Sequence, residues 1–425
     1  MSLKVFQRII KSSPRGVTLH RPAINIVNQD VCYCTTSHTE DSERKHTSFA
    51  EVLLSKTKLI KEVFRTHEGD PAKHGMKHEG LYYTIDKASF DKLTYDLTYK
   101  DLRIQAQTFQ EACVMVRRPA LEIIHAMKHM NYYLPIPKFV LYGDLGCGKN
   151  MTLLHVMHYC LNNDWCIIQT PWPLHWIEWY SEVAMSTHKP GRIDLPREAK
   201  AFLEKFLKLN GRLLDDHVTQ FRYEWTKRET TEIGTPLKTL IKFGLQRVKF
   251  ADDVVGALLK EIKQLASQKK LKVLVVIDGL NGFFKDTQMR IAKKEFKDSS
   301  QRQKKQEFIK TTDLTLMENI KKLLQPDMVN SICVSTVDYN LNPKEDRRIN
   351  TPHYLLGKEG FEFMDPFIPI NVPDYSDKEA YSCVEYFINR RWILNPKGHT
   401  EWGKKQLLFL SNKNPKTLYN VCGAW

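Results

Sequence analysis

The chain has 425 residues, enough for two or three domains and a substantial core. Its formal charge of +15 favours an acidic partner, nucleic acid or an anionic membrane surface, while no apolar run reaches the length of a membrane-spanning helix. Nine cysteines lie scattered, with only Cys32 and Cys34 close together, which argues against a zinc ribbon or disulfide framework and fits a reducing compartment.

The N-terminal stretch carries Lys4, Arg8, Lys11, Arg15 and Arg21, with no acidic residue before Asp30. Leu3, Val5, Phe6, Ile9 and Ile10 give its first turns an apolar side, the composition of a mitochondrial transit peptide. The expectation is a transit peptide over residues 1–35, cleaved near Cys32 to Ser37, with a basic ribosomal arm as the competing reading. Residues 36–105 form an N-terminal extension that carries little of the fold up to about residue 65. His74 and His78 have the spacing of metal ligands on a helix, but Gly75 and the missing third ligand speak against a site.

A nucleotide-binding domain is expected over residues 106–372. Near its start, KFVLYGDLGCGKNMT from Lys138 reads as a short strand, a glycine-rich turn and the opening of a helix that runs to about Leu161. Gly143, Asp144, Leu145, Gly146, Cys147, Gly148 and Lys149 match the phosphate-binding P-loop G-x-x-x-x-G-K-[ST], except that Asn150 replaces the final hydroxyl residue. Glycines let consecutive N–H groups turn inward around an anion, the helix N-terminus adds its positive end, and Lys149 supplies a point charge to the β- and γ-phosphates. Residues 143–151, through Met151, are therefore the expected nucleotide site. Magnesium is a separate matter, because it needs compact oxygens in a nearly octahedral shell. Asn150 offers an oxygen on a longer arm, so weak or water-mediated metal contact through Asn150 and Asp278 is expected, with the Thr152 hydroxyl a geometrically poorer substitute.

A second strand reads from LKVLVVIDG, Leu271 to Gly279, apolar at every position from Val273 to Ile277 as in a parallel strand buried on both faces. Asp278 at its carboxyl end belongs beside the phosphates and metal. The next position, where many ATPases place a water-activating Glu, is Gly279, and Asn281 can orient a water without accepting its proton. Slow or absent turnover is the expectation. Trp165 to Thr170, Ile332 to Val337 and Phe367 to Val372 complete five strands separated by helical patterns, such as Asp252 to Ala266 with Asp252 as its cap, so the fold class is α/β with a parallel sheet. Ser335 or Thr336 stands where a polar side chain would sense the γ-phosphate, or is an ordinary strand-end residue.

Between residues 285 and 310 lies a charge-rich insertion with Lys293, Lys294, Lys297, Arg302, Lys304, Lys305 and Lys310. It reads either as a solvated loop or as a contact to the phosphate backbone of RNA. Residues 373–425 read as a helical appendage: a first helix opened by the capping box Ser376 and Glu379, a second over Glu401 to Leu410, and a third opened by Pro415.

Four segments, DPAKHGMKHEGLYYTI from Asp70, YEWTKRETTEIGTPL from Tyr223, LLGKEGFEFMDPFIPI from Leu355 and LLFLSNKNP from Leu407, resemble the death-associated protein three family of the mitochondrial small ribosomal subunit. The resemblance covers residues 70 to 425. It implies an AAA-like P-loop NTPase fold with a five-stranded parallel sheet and a C-terminal helical lid, and residence in the mitochondrial matrix within the ribosome. It also implies a guanine nucleotide, GTP or GDP, contacts with small-subunit ribosomal RNA and ribosomal proteins, and an association with apoptosis. The family usually has Thr where this chain has Asn150, and no N-K-x-D guanine motif is present, so base identity rests on the resemblance. The expected function is a structural ribosomal component with little or no hydrolysis; an assembly or apoptosis-linked switch GTPase or ATPase is the alternative.

Overall fold

The computed structural model describes residues 64–95, 97–292, 306–342 and 349–425. At its centre five strands form one parallel sheet: β1 (Lys138–Tyr142), β2 (Cys166–Gln169), β3 (Val273–Ile277), β4 (Ser331–Thr336) and β5 (Ile368–Asn371). Their spatial order is β5-β1-β4-β3-β2. Each strand falls within a residue or two of the apolar run that announced it. All neighbours are parallel, so every connection is a crossover, and the helices that make those crossovers cover both faces of the sheet.

Alternation along the strands divides the core. Phe139, Leu141, Leu274, Val276, Ile332 and Val334 face one side and pack with α1 (Arg118–His129) and α2 (Lys149–Asn162). Val140, Val273, Val275, Ile277 and Cys333 face the other, against α3 (Pro196–Asn210), α4 (Leu237–Gln246), α5 (Ala251–Ser267) and α6 (Thr315–Leu323). Each such side chain taken fully from water stabilises the fold by roughly 1.5–3 kcal/mol before entropic costs. β3, buried on both faces, is apolar throughout, and the first polar residue after it is Asp278.

Asp252 does not cap α5. The helix begins at Ala251, with Phe250 in the cap position, and Asp252 is buried and accepts a hydrogen bond from the Leu195 N–H at 3.1 Å. The apolar periodicity of α5 is as expected; its polar first turn serves a tertiary contact instead of the helix end. The base of the charge-rich insertion is an antiparallel ribbon of Asp286–Ala292 with Gln306–Lys310, in which Met289 and Ile309 are buried. Lys293, Lys294, Lys297, Arg302, Lys304 and Lys305 lie outside the described residues, as do residues 1–63 with the transit-peptide segment.

Three C-terminal helices follow the sheet: α8 (Asp377–Asn389), α9 (Glu401–Ser411) and α10 (Pro415–Gly423), the preceding helix α7 being Pro352–Met364. The expected capping box is present, the Ser376 hydroxyl accepting from the Glu379 N–H and the Glu379 carboxylate from the Ser376 N–H. Their core is completed from the other end of the chain, since Phe64, Tyr82, Phe109, Cys113 and Met115 pack with Cys383, Tyr386, Phe387 and Leu407. The strand Tyr82–Thr84 pairs with Cys113–Met115, and the line between residues 105 and 106 falls inside the helix Lys100–Phe109. Residues 64–109 thus contribute to the same folded body.

Candidate functional site

The glycine-rich loop joins β1 to α2 at the carboxyl edge of the sheet, where β1 lies between β5 and β4 and the chain order changes direction. Ligands of open parallel sheets collect at such a switch point. Gly143, Gly146 and Gly148 all have positive φ, and two of them have no room for a side chain. A Cβ on Gly143 would lie 2.3 Å from the Val372 carbonyl oxygen, and one on Gly146 would lie 2.7 Å from the Lys416 Cβ. The second contact shows what the loop is packed against. α10 begins over it, with the Asn414 amide donating to the Leu145 carbonyl at 3.0 Å and the Lys416 N–H to the Gly146 carbonyl at 3.2 Å.

Lys149 opens α2 and folds back over the loop, its ammonium donating to the carbonyls of Gly143 at 2.8 Å and Asp144 at 2.9 Å. Cys147 is buried, and burial pushes its thiol pKa up, so it is a packing residue. Met151 and Leu145 line the adjoining cleft, and Asp144 accepts from the Asn350 amide at 2.6 Å.

The acidic strand end lies directly opposite. The ladder pairs Ser335 with Ile277, which puts Thr336 beside Asp278. Strand alternation therefore decides between the two candidates: Ser335 is buried and donates back to the Phe139 carbonyl at 3.2 Å, while Thr336 donates to Asp278 Oδ1 at 2.6 Å. The Thr336 hydroxyl in turn accepts from the Gly279 N–H at 2.8 Å. On the other carboxylate oxygen, Asn150 Nδ2 donates to Asp278 Oδ2 at 3.2 Å. Asn150 and Asp278, 128 positions apart, are thus brought together as expected, but by a hydrogen bond.

That bond bears on magnesium, the ion such loops commonly hold. Only the NH₂ end of the amide can face a carboxylate, so Asn150 turns donor hydrogens toward the oxygen a cation would need. Thr152 gives no substitute, because it is buried and its hydroxyl donates to the Gly148 carbonyl at 3.3 Å. These residues do not fit a directly ligated cation in this arrangement. Nor does Asn281 orient a water. It is buried, donating to the Asp338 carbonyl at 2.8 Å and to Asn342 Oδ1 at 2.9 Å, and accepting from the Asp338 N–H at 2.9 Å. Asp338 is held by the Trp172 indole N–H at 3.0 Å.

A residue the motif gave no sign of holds the site together. Arg117, at the N-terminus of α1, is buried and donates to the Cys147 carbonyl of the loop at 2.7 Å. It also donates to Glu379 Oε1 at 2.8 Å and to the Pro373 carbonyl at 2.9 Å, and lies over the Tyr375 ring. Burial alone would lower its pKa; the Glu379 carboxylate more than offsets this and holds it above the ordinary value. One side chain thus ties the loop to the linker and first helix of the C-terminal group. Between these parts runs a cleft of about 560 Å³ lined by Gly146, Gly148, Lys149, Asn150, Asp278, Thr336 and Lys416, and further by Asp101, Gln105, Tyr375, Tyr419 and Asn420.

Fold and site together define an α/β protein with a glycine-rich loop at the switch point of a parallel sheet, closed over by C-terminal helices. The family described as mitochondrial ribosomal death-associated protein 3 matches residues 114–421, and the chain belongs to that family. Membership places it at the mitochondrial ribosome, in the matrix. Among its relatives, the small ribosomal subunit protein mS29 of Bos taurus is 38% identical over 366 residues, covering 86% of this chain and 89% of that protein. The mS29 of Mus musculus is 37% identical over 362 residues, covering 85% and 90%. Of solved structures, a chain of the E. coli MS115-1 HORMA:CdnC:Trip13 complex aligns over 78% of this chain and 79% of its own at 11% identity, with a TM-score of 0.27, too loose a match to carry an argument.

Proposed function

We propose that the protein is a structural component of the mitochondrial small ribosomal subunit that binds a guanine nucleotide, GDP or GTP, through residues 143–151 and turns it over slowly or not at all. The observation that carries the reading is the loop itself, with Lys149 and the N-terminus of α2 at one wall of a cleft of about 560 Å³, ample for a nucleotide. Weak turnover is supported by the groups that follow Asp278: Gly279 carries no side chain, and Asn281 is committed to Asp338 and Asn342. Asp101 on the cleft wall supports guanine, since a carboxylate accepts from the N1–H and amino group that guanine has on one edge and adenine does not. The family, the naming of its relatives and the net charge of +15 support ribosomal RNA and ribosomal proteins as partners. A nucleotide bound by the folded state alone stabilises it by about 2.7 kcal/mol at a hundredfold excess over Kd, a sufficient role without hydrolysis.

Purification of the mitochondrial small subunit, followed by mass spectrometry of the nucleotide it releases, tests this. Guanine nucleotide in near-equal amount to the protein is the expected result. An intact subunit with an empty site would leave only the scaffold role, and a chain that stays at the top of a sucrose gradient would refute the ribosomal one.

A further inference from the structure

The Asn150 amide has two N–H groups and one of them is on Asp278 Oδ2, at 3.2 Å. The second points away from the carboxylate by the fixed geometry of the amide, and Asn150 stands at the start of α2, among the N–H groups that face an anion on the loop. In a loop with Ser or Thr here, the hydroxyl oxygen ligates a cation that bridges the phosphates to the acidic strand end. Here the amide can make the same bridge by itself, donating to Asp278 with one hydrogen and to a phosphate oxygen with the other. The opposite side of Asp278 is also filled by a donor, the Thr336 hydroxyl at 2.6 Å, itself fixed by the Gly279 N–H at 2.8 Å. A cation would have to displace the Asn150 hydrogen bond and reverse the amide to present its oxygen.

We infer that this site holds its nucleotide without a divalent cation, Asn150 serving as the bridge between Asp278 and the phosphates, and that it favours a nucleoside diphosphate over a triphosphate. The diphosphate preference follows from charge. Lys149 and Lys416 line the cleft together with Asp278 and Asp338, and a γ-phosphate adds negative charge beside those carboxylates with no divalent ion to offset it. A diphosphate brings less negative charge against them. The inference rests on the nucleotide-binding reading above, and its test separates the two.

The test is calorimetric titration of the full chain with GDP and with GTP, each in excess Mg²⁺ and in EDTA, for the natural sequence, Asn150→Thr, Asn150→Ser and Lys149→Ala. The natural chain is expected to bind GDP with Kd values in Mg²⁺ and EDTA that agree within about threefold, and to bind GTP about tenfold more weakly. Asn150→Thr and Asn150→Ser should become metal-dependent, losing about tenfold or more of their affinity in EDTA, with GTP gaining on GDP in Mg²⁺. A natural chain that loses tenfold in EDTA overturns the inference and leaves nucleotide binding intact, because Lys149→Ala would still abolish it. Titrations that show no heat with either nucleotide in either condition, and no difference on Lys149→Ala, overturn both. The comparison of Mg²⁺ with EDTA needs no variant, so a misfolded substitution cannot obscure the outcome.

Discussion

Replacing Arg117 by methionine removes a cation whose side chain is 5% exposed and whose carboxylate partner, Glu379, is 6% exposed. Deleting one member of such a buried pair leaves the other charged and unpaired, at a cost of about 3–5 kcal/mol. The upper end applies here, because the Cys147 and Pro373 carbonyls lose their donor in the same step. Against a total stability of roughly 5–15 kcal/mol, the variant should unfold at a much lower urea concentration, and the loop and C-terminal helices should lose their common anchor. Equilibrium urea unfolding followed by circular dichroism measures the loss. The double variant Arg117→Met, Glu379→Met separates charge from packing. It removes the stranded carboxylate, at the cost of the capping-box bond to the Ser376 N–H, about 1 kcal/mol. It should therefore be more stable than the single variant by about 1–3 kcal/mol. A single variant that loses less than about 1 kcal/mol, or a double variant less stable than the single, would refute the account of Arg117 as a buried, charge-balanced strut.

Two further outcomes follow from other parts of the molecule. His155 on α2 is buried, its Nε2 within 2.9 Å of His74 Nδ1, and burial lowers the pKa of His155 and His74, and that of the nearby His158 to about 4, from the ordinary 6.5. These rings are neutral in the fold and take up protons in the unfolded chain, so their stabilisation is complete above pH 6.5 and is lost as pH falls from 6.5 toward 4. The urea midpoint should begin to drop below about pH 6.5, before most carboxylates titrate, and a midpoint unchanged down to about pH 5 would contradict it. At the cleft wall where the proposed function places the guanine edge, Asp101→Asn exchanges an acceptor for a donor. It should weaken GDP by about tenfold or more and improve xanthosine diphosphate, whose edge carries an oxygen in place of the amino group; equal affinities before and after would remove Asp101 from base recognition.

The elements that build the site were legible because each has a strong local signal. β3 is an unbroken β-branched run ended by Asp278, and the loop before α2 has its glycines and Lys149 at fixed spacing, so Asn150 stood out as the one departure. The remaining features depend on contacts that local sequence does not encode. Arg117 and Glu379 are 262 positions apart, and nothing around either announces a partner. Asp252 looked like a cap because acidic residues at helix starts usually are, yet a tertiary donor, the Leu195 N–H, takes its side chain. The choice between Ser335 and Thr336 needed the register of β4 against β3, since a shift of one position turns a side chain to the opposite face. At the insertion, the density of lysines masked the buried Met289 and Ile309 that seat its two strands.

The same contacts bear on whether the site could act as a switch. A nucleotide shifts an equilibrium only through interactions that differ between two states, so a switch needs a group that meets the γ-phosphate and releases it. Thr336 has the place for that task, but its one hydroxyl proton is donated to Asp278 and its oxygen accepts from the Gly279 N–H. To reach a terminal phosphate it would have to give up the bond that fixes Asp278, which Asn150 holds from the other side. The loop is braced in the same way, by Asn414 at Leu145, Arg117 at Cys147 and Lys149 at its own carbonyls. A loop held in shape by its own protein binds a ligand with little ordering cost and gains stability from it. Among the described residues these bonds hold the loop in one arrangement, which agrees with the proposed structural role for a nucleotide better than with a switch.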